Sequence, residues 1–175
     1  MIFLIGYRGT GKTTVARVLA ARLGWVWLDA DAVLEERHGP IADIFDQQGE
    51  PVFRDQEAGV LADLCKLSRH VIATGGGVVL RGDNCERMRQ AGRVIWLTAD
   101  LETIWQRLQA DAAAGVSRPP LTVGGRTEVE QLLRMRAPLY GNCAELIIDT
   151  AGHTPEEVAE EIHRRLFPRS HAPRL

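Results

Sequence analysis

Ile2-Phe3-Leu4-Ile5-Gly6-Tyr7-Arg8-Gly9-Thr10-Gly11-Lys12-Thr13 sets an apolar run directly before the spacing G-x-x-x-x-G-K-[ST]. A buried strand followed by such a loop and then a helix is the setting in which a Walker A motif works. The glycines let successive backbone N–H groups turn inward around phosphate oxygens, Lys12 reaches the outer phosphates, and Thr13 offers its hydroxyl to a magnesium ion. Val15, Val18, Leu19 and Leu23 give Thr14 to Leu23 a helical apolar stripe, so a positive dipole end faces the same anion. A nucleoside triphosphate site follows from this stretch alone. A chance glycine-rich turn would lack both the strand before it and the helix after it.

Bulk properties narrow the classes further. The 175 residues, 45% hydrophobic and 25% charged, suit one soluble domain with a full core. A formal net charge of -2 supplies no basic field for a nucleic-acid backbone, so an anionic ligand must be met by locally placed arginines. The apolar start, Met1 to Ile5, is too short for a signal peptide, and no later run is long enough to span a bilayer. Cys65, Cys85 and Cys143 show no C-x-x-C spacing and leave one unpaired if two join, which predicts reduced thiols, a cytoplasmic protein and a filler role for each.

Short β-rich runs alternate with helical stretches: Ile2 to Ile5, Val26 to Leu28, Val71 to Thr74, Val94 to Leu97 and Leu146 to Ile148. The alternation predicts an α/β fold with a five-stranded parallel sheet flanked by helices. Thr154-Pro155-Glu156-Glu157 reads as a capping box with Pro at the first helical position, and Thr127 with Glu130 as a second. Asp100 is a candidate cap for a helix from Leu101 to about Gln109. Two stretches stand apart from this scheme within a single domain spanning 1–167. The segment at about 32–67 is helical by pattern with breaks at Gly39-Pro40 and Gly49, and about 111–127 is rich in small residues, Pro and Gly, as a mobile lid would be. The tail, 168–175, has charges and prolines but no periodicity and is expected to fray. No internal repeat is present.

The strand Val71-Ile72-Ala73-Thr74 ends without the aspartate that many P-loop enzymes use for magnesium and runs into Gly75-Gly76-Gly77. The carboxylate must therefore come from elsewhere, and Asp29-Ala30-Asp31 follows the strand Val26-Trp27-Leu28 at its carboxyl end. If that segment stays extended, both side chains point the same way, which suits a cation and an acceptor alcohol between them. Alternatively one of the two caps the helix that begins near Ala32. The triple glycine would let a small molecule lie against backbone N–H groups, or would simply make a sharp strand-to-helix turn. Arg54, in Gly49-Glu50-x-x-Phe53-Arg54-x-x-Glu57, and Arg136, in Arg134-Met135-Arg136-Ala137-Pro138-Leu139-Tyr140, are candidates to grip a carboxylate bidentately. Arg118, in the Pro/Gly-rich stretch, is placed for a closing lid to bring its charge onto a transferring phosphoryl group. Arg37, Arg69, Arg87, Arg89, Arg164 and Arg165 read as solvated surface groups.

Taken in order, the glycine-rich loop through Thr14, Asp29-x-Asp31, Ile41-Ala42-Asp43-Ile44-Phe45, the Gly49 to Glu57 pattern, Gly75-Gly76-Gly77, Arg118-Pro119-x-Leu121 and Arg136 to Tyr140 resemble the shikimate kinase family over nearly the whole chain. The resemblance implies a P-loop kinase fold and transfer of the ATP γ-phosphoryl group to the 3-hydroxyl of shikimate, on the route to chorismate and the aromatic amino acids. It further implies that Gly9, Thr10, Gly11, Lys12, Thr13 and Thr14 bind ATP phosphates and that Thr13 and Asp29 serve Mg²⁺. Asp31 would hold the acceptor hydroxyl, Arg54 and Arg136 the shikimate carboxylate, and Gly75, Gly76 and Gly77 the ring hydroxyls. Lys12, Asp31 and Arg118 would carry catalysis, with Arg118 as the lid arginine on ATP and Arg107 near the adenine. A monomer with ATP and shikimate as its partners, and neither nucleic acid nor membrane, is the expectation. Two other readings fit the P-loop: a kinase for another acceptor, such as gluconate or a nucleoside monophosphate, and a nucleotide-binding regulator without turnover.

Overall fold

Ile2–Ile5 form strand β1, every residue of it buried, because the chain places it at the centre of a sheet covered on both faces. Phe3 and Ile5 face one apolar layer with Ile72, Val94, Met88 and Tyr140, whereas Ile2 and Leu4 face the other with Val15, Leu19, Val71, Ile95 and Ile162. Period-two alternation thus feeds two cores at once, which is why the strand reads as a continuous apolar run rather than as alternating. Truncating such a residue, Leu4→Ala for example, costs about 2–5 kcal/mol.

A computed structural model of the chain describes residues 1–113 and 125–168. Besides β1 the sheet contains β2 (Val26–Asp29), β3 (His70–Ala73), β4 (Arg93–Thr98) and β5 (Leu146–Asp149), all parallel, in the order β2-β3-β1-β4-β5. From β1 the chain moves out to β2, returns to β3 and then crosses to β4 and β5 on the other side. Ligands in open α/β sheets sit outside the carboxyl ends of the strands where the order reverses in this way. Leu4 is level with Ala73 on one side and Ile95 on the other, so the loops after β1 and β3 emerge side by side.

The helices are α1 (Lys12–Leu23), α2 (Ala30–His38), α3 (Ile41–Leu64), α4 (Gly82–Ala91), α5 (Leu101–Ala113), α6 (Gly125–Cys143) and α7 (Pro155–Leu166). Both anticipated breaks are present. Gly39 ends α2, and within α3 Gly49 (φ 84, ψ 168) makes a kink just before Pro51. The Thr154–Glu157 capping box at α7 forms with both reciprocal hydrogen bonds, and Asp100 accepts from the Thr103 amide at the start of α5.

Two local expectations are corrected. Thr127 lies inside α6, which begins at Gly125, and so is not its N-cap. Asp29 and Asp31 are not consecutive outward positions of one strand: Asp29 closes β2 while Asp31 stands in the first turn of α2. The reason is that the Asp29 side chain accepts from the Asp31 and Ala32 amides and starts the helix sooner than the pattern around Ala32 suggests. Arg118, and most of the segment expected to act as a lid, fall outside the described residues, as does the tail after Pro168. Among the described residues no helix is long and apolar enough to cross a membrane.

Candidate active site

The loop after β1 has a shape only its glycines permit. Gly11 caps α1 with φ 84, and at Gly6 (φ 140) a Cβ would collide with the Leu97 carbonyl oxygen on β4. Lys12 is buried and donates from Nζ to the carbonyls of Gly6 at 2.8 Å and Tyr7 at 2.9 Å, so its charge is held beneath the loop. Thr10 Oγ1 closes the turn onto the Tyr7 carbonyl at 2.7 Å. At the first turn of α1, Thr13 Oγ1 donates to Asp29 Oδ2 at 2.8 Å, while Asp29 Oδ1 accepts from the Asp31 amide at 3.0 Å. One carboxylate therefore joins the phosphate loop to β2 and caps α2, which is the capping reading of Asp29.

Arg107, on α5, braces the other flank. Its Nη1 donates to the Gly9 carbonyl at 3.1 Å and to Thr150 Oγ1 at 2.9 Å, and its Nη2 to the Thr150 carbonyl at 2.8 Å. The guanidinium thus ties the phosphate loop to the end of β5, where the loop after Asp149 begins.

Opposite these groups lies a pocket built from α2, α3, the turn after β3 and α6. Arg54 lies against the Phe53 ring, 4.8 Å from its centroid, and pairs with Glu57 at 2.9 Å and Glu50 at 3.0 Å. Burial disfavours its charge, but Glu57 and Glu50 more than offset this and its pKa stands above the ordinary value. Glu57 is itself pushed upward because burial outweighs the attraction of Arg54 and, more distantly, Arg136. Its Oε1 is buried without a hydrogen-bond partner among the described residues.

The three glycines have separate reasons. A Cβ at Gly75 would stand 2.6 Å from Asp31 Oδ1 and 3.0 Å from Glu57 Oε1, and one at Gly77 would stand 2.6 Å from Arg54 Nη2. At Gly76 the nearest atoms are 3.5 Å away, ordinary contact. What Gly76 supplies is its carbonyl, which accepts from Tyr140 OH at 2.5 Å and from Arg136 Nη1 at 3.4 Å. Burial raises the Tyr140 pKa to about 12, against the opposing charge of Arg136, so the phenol remains a donor. Gly75 and Gly77 thus let charged side chains reach the backbone turn, a cause distinct from both the ligand platform and the bare turn.

A cavity of about 780 Å³ joins the two halves; Thr13, Asp29 and Arg107 line one end, and Asp31, Arg54, Gly76 and Arg136 the other. Its lining also includes Thr14 and Thr74, a buried hydroxyl where an aspartate would have ended β3.

Residues 8–167 match the shikimate kinase family profile. The chain belongs to the shikimate kinase family. It is 44% identical over 163 residues to the shikimate kinase of Thermodesulfovibrio yellowstonii, covering 92% of this chain and 91% of the relative. With the shikimate kinase of Moorella thermoacetica it shares 43% identity over 166 residues, 94% of this chain and 93% of that one. Among solved structures it is similar to a shikimate kinase from Acinetobacter baumannii in complex with shikimate, with a TM-score of 0.89, 35% identity, and coverage of 98% and 94%. A shikimate kinase from Aquifex aeolicus superposes with a TM-score of 0.78 at 30% identity, covering 94% of each chain. The P-loop kinase fold expected from the sequence is the fold of this family, with the five parallel strands in place.

Several residues in or beside the cavity escaped the sequence reading. Glu57 and Tyr140 stand inside quoted motifs without an assigned role, and helical spacing was the available signal. Glu57 follows Arg54 by three positions and Tyr140 follows Arg136 by four, so each pair shares a helix face. Tyr7 and Thr150 carried no such signal, since one fills a free position of the loop motif and the other follows a strand end.

Proposed function

We propose that this chain transfers the γ-phosphoryl group of ATP to the 3-hydroxyl of shikimate, with the phosphate loop as donor site and the Arg54–Arg136 pocket as acceptor site. The observation that carries this is the single cavity in which a Walker A loop faces an aspartate, two arginines and a backbone carbonyl turn. Gly9 to Thr14 would cradle the phosphates, with Lys12 leaving its loop carbonyls for the outer phosphates. Arg136 and Arg54 would take the acceptor's carboxylate, and Asp31 would accept the hydrogen bond of the reacting hydroxyl. That hydroxyl oxygen bonds to the γ-phosphorus as the bond from phosphorus to the bridging oxygen breaks, its proton departs along the hydrogen bond to Asp31 and on to solvent, and ADP leaves. Because such transition states are loose, positioning and charge neutralisation contribute more than proton removal, so Asp31 acts chiefly as an orienter. Arg118, outside the described residues, is assigned to ATP on the family resemblance alone, and Arg107 is assigned to the nucleotide end.

The residues present fit a magnesium ion. Thr13 and Asp29 offer a hydroxyl and a carboxylate in direct contact, both hard oxygen donors. Among the described residues no group of three or more His, Cys, Asp or Glu could hold a metal, which suits an ion resting mainly on phosphates and water. When bound, Mg²⁺ would neutralise charge on the outer phosphates. ADP release measured in parallel with shikimate, gluconate and nucleoside monophosphates tests the assignment. Turnover with shikimate alone is expected; turnover only with another acceptor, or none at all, would overturn it.

A further inference from the structure

Tyr7 occupies a position that the loop motif leaves free, yet its side chain is 2% exposed and packs with Ile104 and Val129. Its hydroxyl is buried without a hydrogen-bond partner among the described residues. A tyrosine kept there for its hydroxyl should have a partner, because an unsatisfied buried polar group costs stability. What the ring does have is Arg136 above it, with the guanidinium carbon 5.8 Å from the centroid, within the range of a cation–π contact. Arg136 also donates a long hydrogen bond to the Gly76 carbonyl at 3.4 Å, and its charge acts on Tyr140 and Glu57. The backbone of Tyr7 meanwhile accepts from Lys12 Nζ and Thr10 Oγ1. One residue therefore touches the donor loop through its carbonyl and the acceptor arginine through its ring.

We propose that Tyr7 is a positioning residue for the acceptor: its ring is the shelf on which the Arg136 guanidinium lies, holding that fork ready for a carboxylate. The inference rests on the assignment of Arg136 to the acceptor's carboxylate. Without the shelf, Arg136 samples more rotamers, and the cost of ordering it falls on shikimate binding. Nothing comparable falls on ATP, because Tyr7 meets the loop through main-chain atoms that a side-chain change retains.

The test compares Tyr7→Phe, Tyr7→Leu and Tyr7→Met, each alone and with Arg136→Ala, by steady-state kinetics and thermal unfolding. Tyr7→Leu is expected to raise the shikimate KM roughly three- to tenfold with the ATP KM unmoved, a contact of cation–π strength. Tyr7→Phe should restore the wild-type shikimate KM and match or exceed the wild-type Tm, since it removes only an unpartnered hydroxyl. In the Arg136→Ala background Tyr7→Leu should add nothing. Tyr7→Met serves if the leucine variant does not fold. Equal losses for ATP and shikimate, failure of Tyr7→Phe to rescue, or an undiminished effect in the Arg136→Ala background would each overturn the proposal. A large loss in Arg136→Ala with no effect of Tyr7→Leu removes this inference alone, whereas an unchanged shikimate KM in Arg136→Ala removes the assignment beneath it.

Discussion

Thr13 Oγ1 and Asp29 Oδ2 meet at 2.8 Å across the gap between α1 and the end of β2. The contact brings together two oxygen donors suited to one hard cation, and Asp29 at the same time starts α2. Asp29→Asn keeps an oxygen for the cap but loses the charge. Its Tm should therefore stay near wild type while the Mg²⁺ concentration for half-maximal turnover rises. Asp29→Ala also loses the cap, which costs about 1 kcal/mol. A magnesium titration of kcat beside thermal unfolding separates the two effects; an unchanged magnesium requirement in both variants would remove Asp29 from the metal.

Arg136 donates a long hydrogen bond to the Gly76 carbonyl, lies over the Tyr7 ring and lines the cavity, where a ligand carboxylate could meet its guanidinium. Arg136→Ala removes a charged hydrogen-bond partner worth about 1.5–3 kcal/mol, a roughly ten- to hundredfold weakening of shikimate binding. Affinity for ATP should be largely intact. Titration calorimetry with each ligand separately provides the comparison, and unchanged shikimate affinity would sink the assignment.

For Asp31→Asn, near-complete loss of turnover with an intact fold is expected. The residue sits in the first turn of α2, facing Gly75, and does not itself cap the helix. Circular dichroism paired with single-turnover kinetics tests this, and a variant retaining most of its kcat would refute the role.

Gly76 and Gly77 should answer differently to alanine. A methyl at Gly77 meets the Arg54 guanidinium, whereas one at Gly76 meets nothing closer than 3.5 Å. Gly77→Ala should displace Arg54 and raise the shikimate KM, with a smaller effect on the ATP KM. Gly76→Ala should fold with a Tm close to wild type. Equal Tm losses in the two variants would show that the turn itself, rather than the side chain facing Gly77, demands glycine.

The capping box of α7 gives a pH-dependent prediction. The Thr154 amide donates to Glu157 at 2.7 Å, and this bond, with the Thr154 hydroxyl, lowers the Glu157 pKa. A carboxylate lowered in the folded state adds stability above its unfolded pKa and loses it as pH falls through the folded pKa. Glu157→Gln should therefore melt below wild type at neutral pH and level with it once the solution is acid enough to protonate Glu157. Thr154→Ala should lower Tm by about 2–4 °C at neutral pH. Calorimetric melts across pH decide both, and a gap between Glu157→Gln and wild type that persisted in acid would disprove the electrostatic cause.

Much of the fold was legible because its causes are local. The breaks at Gly39 and Gly49, the cap at Thr154 and all five strands follow from residues within a few positions of one another. Two places show the limit. Period two places positions 29 and 31 together only if the segment stays extended, and the open alternative holds instead: Asp29 caps α2, which starts at the residue after the strand. Cys85 and Cys143 are the buried fillers their isolation suggests, yet both sit in the same core layer, one on α4 and one on α6, a shared position no spacing encodes.

By itself the sequence determined the donor half: a phosphate loop is one contiguous stretch, and its backbone shape follows from glycines at fixed offsets between a strand and a helix. Only the tertiary structure decided how the acceptor-side candidates, Asp31, Arg54, Gly75 to Gly77 and Arg136, meet one another and Glu57 and Tyr140, since they come from separate elements. Their meeting depends on the parallel order of β2, β3 and β1 and on the packing of α3 and α6 beside the turn after β3. Contacts between charged groups so distant in sequence leave no periodic trace, and their energies arise only once burial has removed the water between them.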